Sequence, residues 1–402
     1  FASTRLSRAL VFPAAWALCE WLRGLSVWAF PWLSAGYSQN ESDFGALAPV
    51  VGVFGVSFAV ATAATLLASI VSLFLMRKKQ VGRVGIGLVM TAAFIGAAWY
   101  CATVQGSVPD GPPIRAAMVQ GNTDIATKWQ AGNDANIRQH YLDLSMPLQD
   151  RDLVVWPESA MPVYLGDLAP EFWKTLADHP AEFVFGVVEQ RGSTKADGSV
   201  DSLKIFNSAV VAGTDGTPGV WRKTHLVPFG EYLPFSNQLG WVLDLLQIPM
   251  SDFTEWSEPQ GAMPVAGTRV GISICFEDSF PRDMLETVPD AGLLVNISED
   301  AWFGDSFGPA QRFEMGQMRA REMSRPMLRS SNTGITAALD HRGRLLEKLP
   351  QFESAVLQTE IQPRTGTTPF VRFGHWPTLA VCVVVLLAGF IFRVRRRPGL
   401  SL

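Results

Sequence analysis

Three short segments of this 402-residue chain each end a run of buried-type residues on one reactive side chain. Gly271-Ile272-Ser273-Ile274 leads into Cys275, followed at once by Phe276, Glu277 and Asp278. Asp152-Leu153-Val154-Val155-Trp156-Pro157 leads into Glu158, and Val220-Trp221-Arg222 into Lys223. A side chain at the mouth of a buried strand is held by rigid scaffold and can still meet a substrate. A thiol, a carboxylate and an ammonium supply a nucleophile, a base, and a group that favours the thiolate or holds an oxyanion. That is the set needed for acyl transfer through a thioester. Desolvation near a strand end predicts a raised pKa for Glu158, suited to taking the thiol proton.

Each residue alone has a plainer reading. A glutamate after proline starts a turn, a lysine is a solvated charge, and a strand-end cysteine packs in a core. The joint occurrence carries the chemistry. His225, two residues beyond Lys223, offers a rival Cys–His pair of the papain type, against which the lysine and the Trp-Pro-Glu segment speak.

The elements that position these residues divide into two kinds. With 48% hydrophobic and only 17% charged residues, and with long uncharged runs, the chain reads as a membrane protein. Spans are expected at 10–33, 46–76, 84–104 and 378–392. Glu20 and Arg23 in the first are at the spacing of an i,i+3 ion pair, the alternative being a contact to a lipid head group. Gly52 and Gly55 read as helix-packing positions. The first residue is Phe1 rather than methionine, so the native start is expected to lie upstream of it. Arg77, Lys78, Lys79, Arg83, Arg393, Arg395, Arg396 and Arg397 form two basic clusters that the positive-inside rule puts in the cytoplasm. Residues 36–44 and about 106–373 then lie outside. Adding Arg5 and Arg8 and subtracting these ten charges from the net −4 leaves about −14, which argues against a nucleic-acid partner. Cys19, Cys101 and Cys382 fall in apolar runs. Cys275 is therefore a lone thiol in an oxidising compartment, where a structural free cysteine is disfavoured. No Cys-x-x-Cys or His-Glu-x-x-His pattern suggests a metal.

The outer region has an α/β rhythm. Strands are expected at 114–120, 152–156, 183–189, 206–212, 220–224, 268–274, 291–297, 327–331, 335–339 and 355–361, with a turn at 213–216. Helices are expected at 133–148, 170–177 and 310–324. Many strands with few, clustered helices predict a layered sandwich. Residues 239–250 are too greasy for an ordinary outer loop and too short to span. They read either as core or as an arm dipping into the outer leaflet.

The segments resemble the nitrilase (carbon–nitrogen hydrolase) superfamily, and in detail its membrane branch, the acyltransferases that complete bacterial lipoprotein maturation. The matching strings are Phe30-Pro31-Trp32-Leu33, Val119-Gln120-Gly121-Asn122, Trp156-Pro157-Glu158, the run from Lys223 to Tyr232, Ile274 to Glu277, and Asn296 to Gly308. The resemblance runs from about residue 12 to 370. It implies an αββα nitrilase-like sandwich, residues 106–373, on a multi-span helical membrane domain, residues 1–105. Residues 374–402 would form a last span and a basic tail. It implies Glu158 as base, Lys223 as oxyanion-stabilising residue and Cys275 as nucleophile, with Glu231, Phe276, Glu277, Trp129, Asn207 and Trp302 in support. It implies no cofactor and no metal, a phospholipid acyl donor, a diacylglyceryl apolipoprotein acceptor, and a place in the bacterial inner membrane with the catalytic domain periplasmic. Two residues depart from the pattern: Phe276 replaces a frequent tyrosine, and Glu299 stands where asparagine is expected. Two other readings stay open, an anchored amidase that hydrolyses its thioester with water and a non-catalytic lipid-binding scaffold.

Overall fold

The computed structural model describes residues 5–25, 29–75, 89, 92–93, 96–97, 100–101, 103, 106–194, 200–213, 218–232 and 253–394. The chain forms two compact units. One comprises Phe1–Gly106, Arg321–Met323 and Thr367–Leu402, the other Ser107–Ala320 and Ser324–Gly366.

The first unit is helical, as its apolar runs require. Among the described residues one helix, Asp43–Val71, is long and apolar enough to cross a membrane, and Leu10–Leu22 and Trp376–Ile391 are shorter apolar helices. The expected span at 84–104 and the greasy segment at 239–250 lie largely or wholly outside the described residues. The helix Ala48–Leu75 is broken at Gly52, which takes φ 68° and ψ 177°. Only glycine adopts that conformation cheaply, and a Cβ there would lie 2.3 Å from the Phe370 ring. The break frees backbone groups that would be costly unpaired in an apolar setting. Side chains take them up: Thr378 Oγ1 donates to Val51 O at 2.8 Å, and Val53 N donates to Glu322 Oε1 at 2.6 Å. Gly52 thus does more than pack. The expected Glu20–Arg23 ion pair is not formed. Glu20 is buried and accepts from Trp16 Nε1 at 2.7 Å and from Ala35 N at 2.9 Å.

The second unit carries the strands. In chain order these begin with β1 (Val108–Pro109), β2 (Ile114–Gln120), β3 (Leu153–Val155), β4 (Met161–Tyr164), β5 (Glu182–Thr194), β6 (Val200–Ala212) and β7 (Gly219–Arg222). Then come β8 (Met263–Val265), β9 (Thr268–Ile274), β10 (Leu293–Ser298), β11 (Met327–Ser331) and β12 (Ala337–Leu339). β13 (Leu345–Lys348), β14 (Ala355–Ile361) and β15 (Arg364–Thr365) close the series. One sheet has the order β14-β2-β3-β5-β6-β7 with β4 beside β5, and the other β13-β12-β11-β10-β9-β8. β2, β3 and β5 pair in parallel, as do β9, β10 and β11. In parallel strands running the same way, the carboxyl ends fall at one edge of the sheet, where ligands are bound in open α/β folds.

Strand alternation sorts the apolar residues into two layers. Ala116, Met118, Leu153 and Val155 pack with Val270, Ile272, Ile274, Val295 and Leu328 between the sheets. Ala117, Val119, Val154 and Trp156 pack outward with Tyr141, Phe172 and Leu176 from the helices Asp134–Ser145 and Pro170–Ala177. On the second sheet the helix Gly308–Met323 brings Gly316 against Met327 of β11. This is the expected αββα layering. The strands β2, β9, β11 and β14 have the bounds read from sequence. The short β4, β8 and β13 were not anticipated. β8 carries Pro264 at a sheet edge, and the fully exposed β13 is also an edge strand, so neither shows an apolar strand pattern.

Trp156 closes the strand that leads to Glu158. Its ring is fully buried among Tyr141, Phe172, Phe183 and Phe185, and its Nε1 donates to Ser145 Oγ at 2.9 Å. The chain then turns sharply over β5: Gly186 N donates to Pro157 O at 3.1 Å. A Cβ on Gly186 would meet Ser159 N at 2.3 Å, Glu158 Cα at 2.6 Å and Pro157 O at 2.7 Å. All three are backbone atoms that cannot swing aside. Gly186→Ala is expected to destabilise the fold by about 1–3 kcal/mol through this overpacking. A thermal melt unchanged from wild type would show that the loop can yield.

Candidate active site

Cys275 directly follows β9 and opens a short 3₁₀ segment, Cys275–Ser279, with φ 52°. For a residue with a Cβ, the left-handed region costs roughly 1–2 kcal/mol, so the turn must be held by its surroundings. Buried Glu277 holds it. Its Oε2 accepts from Ile274 N at 2.6 Å, and its Oε1 accepts from Thr224 N at 2.6 Å, Thr224 Oγ1 at 2.8 Å and His225 N at 3.3 Å. One carboxylate therefore ties the turn bearing Cys275 to the segment that follows Lys223. Burial pushes the Glu277 pKa up, while its hydrogen bonds work the other way. Asn296 Nδ2 donates to Cys275 O at 3.2 Å, and Phe276 is buried edge-to-face on Phe280.

Glu158, Lys223, Asn207 and Glu231 converge beside the thiol. Lys223 Nζ lies 3.4 Å from Glu158 Oε1 and 2.8 Å from Glu231 Oε1. Asn207 Nδ2 donates to Glu158 Oε1 at 2.7 Å and to Glu231 Oε1 at 2.8 Å. Glu231 Oε2 accepts from Val227 N at 2.8 Å, and Glu158 Oε2 from Glu299 N at 2.8 Å. The Cys275 side chain is itself a hydrogen-bond partner of Glu158.

The electrostatics correct one expectation. Burial does act to raise the Glu158 pKa, but Lys223 and the hydrogen bonds from Asn207, Cys275 and Glu299 N outweigh it and hold the carboxyl below the ordinary range. Burial likewise lowers Lys223, yet Glu231 and Glu158 keep it well above the usual lysine value. Cys275 goes the other way: burial and Glu158 push the thiol up to about 12 against Arg312 and Lys223. The resting site is thus a neutral thiol beside a charged carboxylate and a charged lysine.

Two buried charge clusters lie beyond what the sequence suggested. Lys128 Nζ pairs with Glu299 Oε2 at 2.7 Å, and Asn332 Nδ2 donates to the same carboxylate at 3.0 Å. The departure at Glu299 is therefore matched by a buried cation. Beneath Cys275, Arg312 and Arg329 alternate with Asp278 and Asp300 in a closed ring, with contacts of 3.2, 2.6, 3.3 and 3.0 Å. All four residues are almost wholly buried. The ring had one legible signal: Arg312 and Arg319 share the buried helix face with Met315 and Met323, at spacings where a solvated helix would carry apolar residues only.

The remaining expectations divide. Glu231, Asn207, Phe276 and Glu277 are in or against the cluster. Trp129 and Trp302 are not packed into it; they are 40% and 70% exposed. His225 does not face the thiol as a papain-type partner. Its Nδ1 lies 2.6 Å from Asp283 Oδ2, and its ring stacks on Phe280 at 3.8 Å.

This arrangement sits within clear family boundaries. Residues 115–370 match the carbon–nitrogen hydrolase family, and residues 1–66 match the apolipoprotein N-acyltransferase N-terminal domain. The apolipoprotein N-acyltransferase of Methylococcus capsulatus is 39% identical over 98% of this chain and 75% of its own length. That of Nitrosomonas europaea is 37% identical over 96% of this chain and 75% of its own. Among solved structures, a carbon–nitrogen hydrolase from Helicobacter pylori G27 is 16% identical, with a TM-score of 0.46 over 71% of this chain and 95% of its own. By the near-full-length match in sequence and the two family domains, the chain belongs to the apolipoprotein N-acyltransferases of the carbon–nitrogen hydrolase superfamily.

Proposed function

We propose that this enzyme moves the sn-1 acyl chain of a phospholipid to the α-amine of a diacylglyceryl-cysteine apolipoprotein, through a thioester on Cys275. The observation that carries this reading is the buried convergence of Glu158, Lys223 and Glu231 beside a neutral, partly exposed thiol. The thiol proton passes to Glu158, and Sγ bonds to the ester carbonyl carbon. The developing oxyanion takes a hydrogen bond from Lys223. Neutralising Glu158 weakens its hold on Lys223, so the ammonium turns toward the oxyanion as charge develops there, which is binding specific to the transition state. The carbon–oxygen bond to glycerol then breaks, and the glycerol oxygen recovers the proton from Glu158 as lysophospholipid leaves. The amine next attacks the thioester carbonyl, the carbon–sulfur bond breaks, and the amine proton returns to Sγ by way of Glu158. No cofactor enters these steps.

In this reading Glu231 fixes Lys223, Asn207 orients both carboxylates, and Phe276 and Glu277 support the nucleophile turn. The exposed Trp129 and Trp302 serve as contacts for substrate rather than as supports. Residues 1–105 form the membrane domain, 106–373 the catalytic domain and 374–402 a last span with a basic tail. The basic clusters beside the apolar runs favour a multi-span chain in the inner membrane with the catalytic domain periplasmic. Both proposed substrates are lipid-anchored, so tethering the site to the bilayer brings them to it in turn.

Intact-mass analysis of the full chain after incubation with phosphatidylethanolamine vesicles tests the nucleophile. An acyl adduct is expected on wild type and not on Cys275→Ala, and an equal signal from both would reject the thioester. Glu158→Gln should lower turnover by at least about 10³-fold, whereas His225→Gln should stay within about tenfold of wild type. The reverse order would revive a Cys–His pair. The pH profile follows from the depressed Glu158 pKa. The carboxylate and the stability of its pair with Lys223 are fully present above the ordinary glutamate value of about 4.3, and are lost only as pH falls through the lower folded value. Activity should therefore hold across the mildly acidic range, and an acid limb near pH 6 to 7 would show that another group is the base.

A further inference from the structure

The nucleophile has a partner outside the group just described. Arg312 Nη1 lies 3.0 Å from Cys275 Sγ, within hydrogen-bond reach of the sulfur. The same nitrogen lies 2.9 Å from Ser298 Oγ and 3.0 Å from Asp300 Oδ1. A guanidinium Nη carries two hydrogens, so three acceptors compete for two donors. Ser298 Oγ can also spare the bond, because its own hydroxyl is already committed to Asp300 Oδ1 at 2.9 Å. The fork itself cannot drift. Nη2 is held by Asp278 at 3.2 Å, and Arg329 closes the ring on the far side of both aspartates.

We propose that Arg312 is a catalytic residue of the acyl transfer, donating an N–H to Cys275 Sγ as the thiol becomes a thiolate. This rests on the reading of Cys275 as the nucleophile. While sulfur is a neutral thiol and a poor acceptor, the shared hydrogens favour Ser298 and Asp300. When the proton has passed to Glu158, sulfur becomes a much stronger acceptor, and an Nη1 hydrogen it already shares, fixed in the guanidinium plane, gives more of its bond to sulfur. No proton leaves Arg312 at any step. The ring is neutral, two guanidiniums against two carboxylates, so what reaches the sulfur is an aimed dipole rather than a free charge. The charged groups facing the thiol are then the cations Arg312 and Lys223 and the anions Glu158 and Asp300. Lys223 is engaged by Glu158 and Glu231, and the N–H that protonated Glu158 releases is needed by the oxyanion. That leaves Arg312 to serve the sulfur while Lys223 serves the carbonyl oxygen, a division of labour that two cations permit and one does not.

Two variants keep the ring neutral while removing the donor. Arg312→Lys has a single ammonium that Asp278 and Asp300 draw away from the sulfur, since a lysine cannot present a fork. Arg312→Gln combined with Asp278→Asn removes one charge of each sign. The full chain in detergent micelles is treated with iodoacetamide at pH 8.5, and alkylation is quantified on the Cys275 peptide so that the other three cysteines do not interfere. Below its pKa the thiolate fraction falls tenfold for each unit of increase. Alkylation of Cys275 is expected to slow about tenfold in both variants, with acyl-adduct formation from phosphatidylethanolamine slowed in step and a cooperative melt retained. An alkylation rate within about twofold of wild type, in whichever variant melts cooperatively, would assign Arg312 to the scaffold alone. The wild-type adduct separates the two ideas. If wild type forms no adduct, the nucleophile reading fails; if it does and the variants alkylate normally, only the role of Arg312 fails.

Discussion

Ionised side chains out of water must be neutralised where they stand, and the second unit is built around that requirement. Glu158, Glu231, Asp278 and Asp300 face Lys223, Arg312 and Arg329, all of them largely out of water. Burying one such charge without a partner costs several kcal/mol, more than a domain's usual margin of stability leaves to spare. The solution is that every carboxylate at the sheet mouths accepts more than one donor. Glu277 accepts three backbone N–H groups and a hydroxyl, and Asp300 accepts from two arginines and two serines. The chemistry occupies the same ground because charge held by fixed donors needs no reorganisation when a reaction redistributes it.

The sheets supply what side-chain pairing cannot, which is position. β9 and β7 lie in different sheets, joined by the core that packs Ile272 and Ile274 against Trp221 and Ala209. The thiol sits at the end of one and the lysine just beyond the other. Glu158, the proposed base, arrives from a third direction, on a loop pressed against Gly186. Backbone strain falls at the site: Cys275 and Ser159 both take positive φ, one on the proposed nucleophile and one next to the proposed base. Cys275 departs abruptly from β9 and is held there by Asn296 and by the Glu277 carboxylate, while Ser159 lies in the turn that packs on Gly186.

How much of this was legible in the sequence follows from the nature of each feature. Cys275, Glu158 and Lys223 stood out because each ends a run of β-branched or aromatic residues, and β2, β9, β11 and β14 were readable because buried strands are continuous apolar runs bounded by turns. The direction of the Glu158 pKa was misread because desolvation is a local property and its four compensating partners come from distant parts of the chain. Lys128 and Glu299 are 171 residues apart, so neither announces the other, and Glu299 looked like a departure until its cation was in view. Of the arginine–aspartate ring only Arg312, on the apolar face of its helix, gave a sign, because its partners come from other elements. The break at Gly52 was invisible because a helix-packing glycine and a helix-breaking one share the same apolar neighbours.

The clamp at Glu277 has a mechanical side. A carboxylate gripping the backbone on both sides of the cleft makes nucleophile and cation behave as a single rigid part, so thermal motion that displaces one carries the other with it. The spacing of sulfur and ammonium is then set by one side chain as well as by the packing of the two sheets.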